Sequence, residues 1–184
     1  MNNGRKKIAI IGNSGAGKST LAVLLGEELQ IPVFHLDKIL WKPGWERTPE
    51  DEFVAKHQEI IEKDEWILDG VAYKSTYDIR FKRAEVIIYL DPPLEVCYEN
   101  AKQRMEEEKI RPNPYVTENC PYEGDIEENY KVIRLFHEEY RPLIFKYLEK
   151  HKEKSIVVKE FTINQEKELT ILISKISDIV NRIQ

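Results

Sequence analysis

Nine consecutive residues, Gly12-Asn13-Ser14-Gly15-Ala16-Gly17-Lys18-Ser19-Thr20, combine three glycines, a lysine and hydroxyls at a spacing with a definite chemistry. They fit G-x-x-x-x-G-K-[ST]. Glycine admits backbone dihedrals that other residues avoid. Successive N–H groups can then turn inward and form a nest for phosphate oxygens. A helix beginning at such a loop adds unpaired N–H groups and the positive end of its dipole. Lys18 is long enough to reach the β and γ phosphates of a nucleoside triphosphate, and the Ser19 hydroxyl suits Mg²⁺. An accidental glycine-rich turn would not need the apolar run Ile8–Ile11 before it or the helically spaced leucines after it.

Such a loop specifies a triphosphate and leaves open what is done with it. The base-reading N-K-x-D of GTPases is absent, and 184 residues without long insertions do not suit a motor. Transfer of a phosphoryl group to a small acceptor is the remaining expectation. Two carboxylates are placed for it. Asp37 ends a predicted strand, where it either faces the acceptor, taking a hydroxyl proton or a hydrogen bond, or caps a helix or turn. Asp69 ends another in Ile67-Leu68-Asp69-Gly70. The C-terminal edge of a parallel sheet is where ligands bind, so Asp69 either holds a water of the Mg²⁺ shell or is a turn residue before glycine. Asp91 competes for that role but, before two prolines, reads as a helix cap. His35 reads as a packed or partnered core residue.

Arg80, Arg83, Arg104 and Arg111 are the cation candidates. Planar guanidinium groups bind the spreading negative charge of a transferring phosphoryl group bidentately; the alternative for each is a solvated surface arginine. Trp41 and Trp45 flank Lys42-Pro43-Gly44. They either stack on a base or close over an acceptor, or they anchor their loop to the body.

These residues need a scaffold, and the apolar pattern supplies one. Ile8–Ile11, Val33–Leu36, Trp66–Leu68, Val86–Leu90 and Ile156–Val158 read as strands. Helices fit at 18–30, 50–63, 94–109, 126–149 and 166–182, the last with Leu169, Leu172, Ile173, Ile176, Ile179, Val180 and Ile183 at a 3.6-residue period. Pro142 predicts a kink in the fourth. The Pro-rich stretch 110–124 reads as a loop. Strands alternating with helices predict a single α/β domain over 1–184, a parallel sheet covered on both faces.

Val33-Phe34-His35-Leu36-Asp37, followed by Trp41-Lys42-Pro43-Gly44-Trp45, resembles the small P-loop kinases related to adenylate kinase. Within these the chain is similar to the group often labelled DNA topology modulation proteins. Trp66–Gly70, Asp78-Ile79-Arg80, Arg83-Ala84, Val86–Asp91 and Asn119-Cys120-Pro121 extend the likeness over roughly 6–160. The resemblance implies a P-loop fold with a five-stranded parallel sheet, ATP and Mg²⁺ as cofactors, and a mobile lid over about 104–124. Arg104 and Arg111 bracket the helix end where that lid begins. Adenylate kinases typically continue the third strand with D-G-F-P-R; here the run is Asp69-Gly70-Val71-Ala72-Tyr73. The missing arginine leaves Arg80 or Arg83 as its substitutes.

The group label also suggests a nucleotide-dependent DNA-binding regulator. Acidic residues outnumber basic ones by 33 to 28, and no helix-turn-helix signature is evident. The apolar run near the N-terminus is too short for a signal peptide or membrane span, and two cysteines at no motif spacing suggest neither disulfide nor zinc site. The reading is a cytoplasmic kinase that transfers the γ-phosphoryl group of ATP, with Mg²⁺, to a small-molecule partner, a nucleoside or nucleotide, with neither nucleic acid nor membrane. Sequence-independent DNA affinity comes mainly from Lys and Arg neutralising phosphates. Duplex binding should therefore be weak or undetectable at physiological salt in a titration of labelled DNA. A submicromolar dissociation constant with a steep salt slope would revive the regulator.

Overall fold

A computed structural model describes residues 6–121, 125–159 and 166–182. Five parallel strands, β1 (Lys7–Gly12), β2 (Val33–His35), β5 (Trp66–Asp69), β6 (Val86–Leu90) and β7 (Ser155–Val158), form one sheet in the order β2-β5-β1-β6-β7. A two-stranded antiparallel ribbon, β3 (Trp41–Lys42) with β4 (Glu46–Arg47), stands apart from it. The helices are α1 (Lys18–Leu29), α2 (Asp37–Leu40), α3 (Glu50–Ile61), α4 (Tyr77–Arg83), α5 (Leu94–Glu108), α6 (Ile126–Leu135), α7 (Arg141–Lys150) and α8 (Glu166–Arg182).

The inner strands β1, β5 and β6 are buried almost throughout because both faces are covered, while the edge strands β2 and β7 are half-buried. Successive side chains of a strand point to opposite sides. Ile8 and Ile10 pack in one core with Leu21 and Leu25 of α1 and Ile176 and Val180 of α8. Ala9 and Ile11 pack in the other with Phe53 of α3, Phe81 of α4 and Ile144 of α7. Most of the stripe expected on α8 is used: Leu169, Leu172 and Ile173 flank the first core, whereas Ile179 is exposed, and Ile183 lies outside the described residues. Among the described residues no helix is long and apolar enough to cross a membrane.

The structure corrects several local expectations. Strand β2 stops at His35, so Asp37 is the first residue of α2 rather than a strand end. The Leu36 N–H bonds the Asp69 carbonyl at 2.9 Å, and the Leu40 N–H returns to the Leu36 carbonyl at 2.9 Å, which turns the chain out of the sheet. The tryptophan-bearing loop is the β3–β4 hairpin, turned by Pro43–Trp45 with Gly44 at φ 77° and Trp45 at φ 60°. A left-handed conformation costs a bulky residue roughly 1–2 kcal/mol, so Trp45 needs contacts that hold it there. Asp91 is not a helix cap. Pro93 occupies the N-cap of α5, and the Asp91 carboxylate receives Arg141 Nε and Nη2 at 2.7 and 2.8 Å.

The α-helix is interrupted just before Pro142, where a kink is expected. Proline lacks an N–H, and its ring crowds the carbonyl four residues back. The chain answers with a widened π turn at Phe136–Tyr140, closed by the Arg141 N–H on the Phe136 carbonyl. The rings of Phe136 and Tyr140 then lie parallel, 5.7 Å apart, and face the cleft described next.

Candidate active site

Strand β1 carries Gly12 to the C-terminal edge of the sheet, and the chain there must turn sharply into α1. Gly15 (φ 76°) and Gly17 (φ 89°) take left-handed conformations that make the turn. A Cβ on Gly15 would also lie 2.3 Å from the Cys97 carbonyl oxygen. The loop is held from three sides. Asn13 Nδ2 donates to the Ile133 carbonyl at 2.8 Å, while its Oδ1 accepts the Ser14 N–H at 2.8 Å. From α5, Asn100 Nδ2 donates to the Gly15 carbonyl at 2.8 Å, and Arg104 Nη2 to Ser14 Oγ at 3.1 Å. Lys18 folds back so that Nζ donates to the Asn13 carbonyl at 2.8 Å. Asn100 escaped sequence reasoning. It shares one helical face with Cys97, Ala101 and Arg104, and that spacing would have been the signal.

Asp69, at the end of β5, is 3% exposed and uses both carboxylate oxygens. Ser19 Oγ donates to Oδ2 at 2.7 Å, and His35 Nδ1 bonds Oδ1 at 2.6 Å. His35 is thus the partnered residue expected. Its ring also meets Tyr115, centroid to centroid at 5.0 Å. The hydroxyl and carboxylate oxygens of Ser19 and Asp69 are the hard donors that Mg²⁺ takes, one or two from protein with the rest from water and phosphate. Among the described residues no group of three or more His, Cys, Asp and Glu side chains could hold a metal unaided.

A cleft of about 880 Å³ opens over the loop. Asn13, Ser14, Gly15, Gly17, Lys18, Ser19 and Thr20 line its floor, with Gly12 and Ala16 buried beneath. Asp37, Trp41, Arg104 and Arg111 also reach it. Asp37 is open to the cleft yet enclosed by its walls. Loss of solvation pushes its carboxyl above the usual carboxylate range, against the pull of the Lys18 ammonium. Burial lowers Lys18 in turn, opposed by Asp37 and Asp69. Nucleotide-loop lysine and candidate base therefore feel one another across a single space.

Two predicted cations are elsewhere. Arg80 is 1% exposed and donates to the carbonyls of Gly70 and Val71 at 3.1 and 3.2 Å. Burial lowers its guanidinium to about 10, and it holds the loop after β5 rather than facing the cleft. Arg83 is exposed in the last turn of α4 and does not line the cleft. Neither stands in for the missing arginine near Tyr73. The cation that does line that part of the cleft is Arg47 of β4, which was not singled out from sequence. Its guanidinium lies 4.3 Å from the centre of the Tyr73 ring.

The outer wall joins two segments distant in sequence. The Gly44 N–H donates to the Asn119 carbonyl at 2.8 Å, Thr117 Oγ1 to the Trp41 carbonyl at 2.6 Å, and Trp45 Nε1 to the Pro121 carbonyl at 2.8 Å. Cys120 Sγ lies 3.2 Å from the Lys42 carbonyl oxygen. These contacts hold Trp45 in its left-handed conformation and fasten the expected lid segment to the hairpin. Residues 122–124 of that segment lie outside the described residues.

No family model and no curated protein matches the chain. Solved structures do. Shikimate kinase from Acinetobacter baumannii in complex with shikimate superposes with a TM-score of 0.57 at 21% identity, over 95% of this chain and 92% of that one. Shikimate kinase from Bacteroides thetaiotaomicron gives 0.54 at 14%, over 96% and 98%. A gluconokinase from Sinorhizobium meliloti 1021 gives 0.54 at 14%, over 98% and 94%. The shared feature is the fold, a five-stranded parallel sheet with flanking helices as in P-loop kinases such as shikimate kinase.

The bonds between hairpin and lid segment predict that the two respond together. In hydrogen exchange, protection of residues 41–47 and 115–121 should rise jointly on adding ATP and an acceptor. Thr117→Val, which removes one bond while keeping shape, should speed exchange in both segments, with the Gly44 amide as a direct reporter. A change confined to one segment, or equal strong protection of both with and without ligands, contradicts a joined lid.

Proposed function

We propose that this chain transfers the γ-phosphoryl group of ATP, with Mg²⁺, to a hydroxyl on a small acceptor. The observation that carries this is the pairing of Asp37 and Lys18 across one cleft, a candidate base facing the end of a phosphate-binding loop. The fold supports it, since the chains it superposes on are kinases, one of them in complex with the small molecule shikimate. The resemblance of Val33–Asp37 and Trp41–Trp45 to small P-loop kinases points the same way.

The residues divide the work. N–H groups of residues 13–20 and Lys18 Nζ bind the triphosphate. Ser19 and Asp69 offer the oxygens for Mg²⁺, which when bound neutralises charge on the β and γ phosphates. His35 fixes the orientation of the Asp69 carboxylate. Asp37 hydrogen-bonds the acceptor hydroxyl. As the acceptor oxygen bonds to the γ-phosphorus and the bond to the ADP oxygen breaks, the hydroxyl proton passes to an Asp37 carboxylate oxygen. Arg104 and Arg111, on the wall above the loop, stabilise the negative charge that spreads over the transferring group. Joint closure of lid and hairpin excludes water and suppresses hydrolysis of ATP.

The test is ATP consumption in a coupled assay across a panel of hydroxylated small molecules, followed by Asp37→Asn with the best acceptor. Turnover should fall by about 10²–10⁴-fold, the usual worth of a general base, with a much smaller change in ATP affinity. Activity of the unsubstituted protein should decline as pH falls through the Asp37 pKa, and that limb should lie above the usual carboxylate range because the base must be ionised. A nearly silent Asp37→Asn, or a panel without any stimulation, contradicts the proposal.

A further inference from the structure

The acceptor end of the cleft contains a cation that the reaction as written does not use. Arg47 stands on β4 directly opposite Trp41 on β3. Opposed residues of an antiparallel pair share one face, and both side chains line the cleft. The hairpin thus presents an aromatic ring and a guanidinium side by side.

The guanidinium is set in place from behind. It rests on the Tyr73 ring, whose hydroxyl donates to the Thr48 carbonyl at 2.6 Å and whose edge meets Phe53, with ring centres 5.3 Å apart. The Thr48 N–H in turn bonds the Leu40 carbonyl at 2.8 Å. Contact with a ring face holds the guanidinium by its charge and plane without using its N–H donors, which are the groups that bind an oxyanion bidentately. Among the described residues Arg47 has no carboxylate within ion-pair distance. Three neighbouring cations are committed: Lys42 to Glu52, Arg80 to two carbonyls, and Lys74 to the Tyr140 ring at 4.1 Å. A solvated arginine would have no need of a ring pinned on two sides beneath it.

The surroundings describe the rest of the ligand. Trp41, Trp45, Phe136 and Tyr140 line the same cleft with Leu40 and Val71. Trp41 and Trp45 meet edge to face at 5.4 Å, and Phe136 and Tyr140 lie parallel. Such walls favour a flat ring over an open polyhydroxy chain.

We propose that Arg47 is the specificity-determining anchor of the phosphoryl acceptor, and that the acceptor is a hydroxylated ring compound carrying a carboxylate or phosphate. The ring lies against the tryptophans, the anion on Arg47 and the hydroxyl at Asp37. This rests on reading the cleft as a site of phosphoryl transfer, but anion binding is measurable without turnover.

The experiment uses matched pairs: hydroxylated ring carboxylic acids against their carboxamides, and nucleoside 5′-monophosphates against the nucleosides. Each is scored by tryptophan fluorescence, with Trp41 and Trp45 in the cleft and Trp66 buried, and by ATP consumption. The anionic member of one pair should bind better, and the winning pair distinguishes carboxylate from phosphate. Arg47→Ala should raise its dissociation constant and Michaelis constant about 10- to 100-fold, the usual worth of hydrogen bonds to a charged group. Arg47→Lys should recover part of this. The kcat should change much less, and the melting temperature hardly at all for an exposed residue. If anions bind through Arg47 yet no pair stimulates ATP consumption, the anchor stands and the transfer reading falls. If transfer occurs but charged and neutral partners respond alike to Arg47→Ala, or no anion binds through Arg47, this inference is overturned.

Discussion

A buried carboxylate organises the site. Asp69 sits at the end of β5 among apolar strands, where an unpaired charge would cost several kcal/mol. Its partners are therefore obligatory, and they come from different elements: Ser19 from α1 and His35 from β2. Its own carbonyl receives the Leu36 N–H and so starts the turn that places Asp37 at the cleft. Through His35 it also reaches Tyr115 in the segment expected to close over the ligands. One residue, by side chain and backbone together, thus ties the first turn of α1, the start of α2 with Asp37, and the segment carrying Tyr115 into one frame.

A second buried charge stabilises the chain just beyond it. Arg80 holds the carbonyls of Gly70 and Val71, and the nearby Tyr77 and Asp69 oppose the burial that lowers its guanidinium. Gly70, at φ 126°, brings the backbone close against Leu36. Removing Arg80 would leave two carbonyls to find other donors and free the segment carrying Val71, Ala72 and Tyr73. Since Tyr73 supports Arg47, the buried arginine bears on that end of the cleft at one remove. This wall of the cleft is thereby built from inside out: core charge, supporting loop, aromatic platform, exposed guanidinium.

Much of this was legible in the sequence where physics acts locally. Strands buried on both faces leave unbroken apolar runs, and the phosphate loop needs glycine at positions such as Gly15 where no Cβ fits. The misreadings arose where tertiary contacts decide. Val33-Phe34-His35-Leu36-Asp37 has no internal mark for the end of a strand, because the stop is a hydrogen bond to a residue more than thirty positions on. Trp45 adopts a conformation that its side chain disfavours, held there by Pro121, so no turn rule points to the hairpin. Arg80 was misassigned because α4 went unrecognised. Tyr77, Arg80, Phe81 and Ala84 share one helical stripe, and all four are buried. An arginine on such a stripe faces the core. Arg47 went unnoticed because nothing in Glu46-Arg47-Thr48 distinguishes it until the hairpin and Tyr73 are seen together.

The central claim is that Lys18 and its loop hold a triphosphate for transfer, and Lys18→Ala tests it most directly. Burial lowers the lysine's pKa, while Asp37 and Asp69 oppose this. In single-turnover assays with labelled ATP and the best acceptor, the variant should lose phosphoryl transfer by orders of magnitude. Its circular dichroism spectrum and melting temperature should remain close to those of the unsubstituted protein. A correctly folded variant that transfers phosphate at near the original rate would contradict the account.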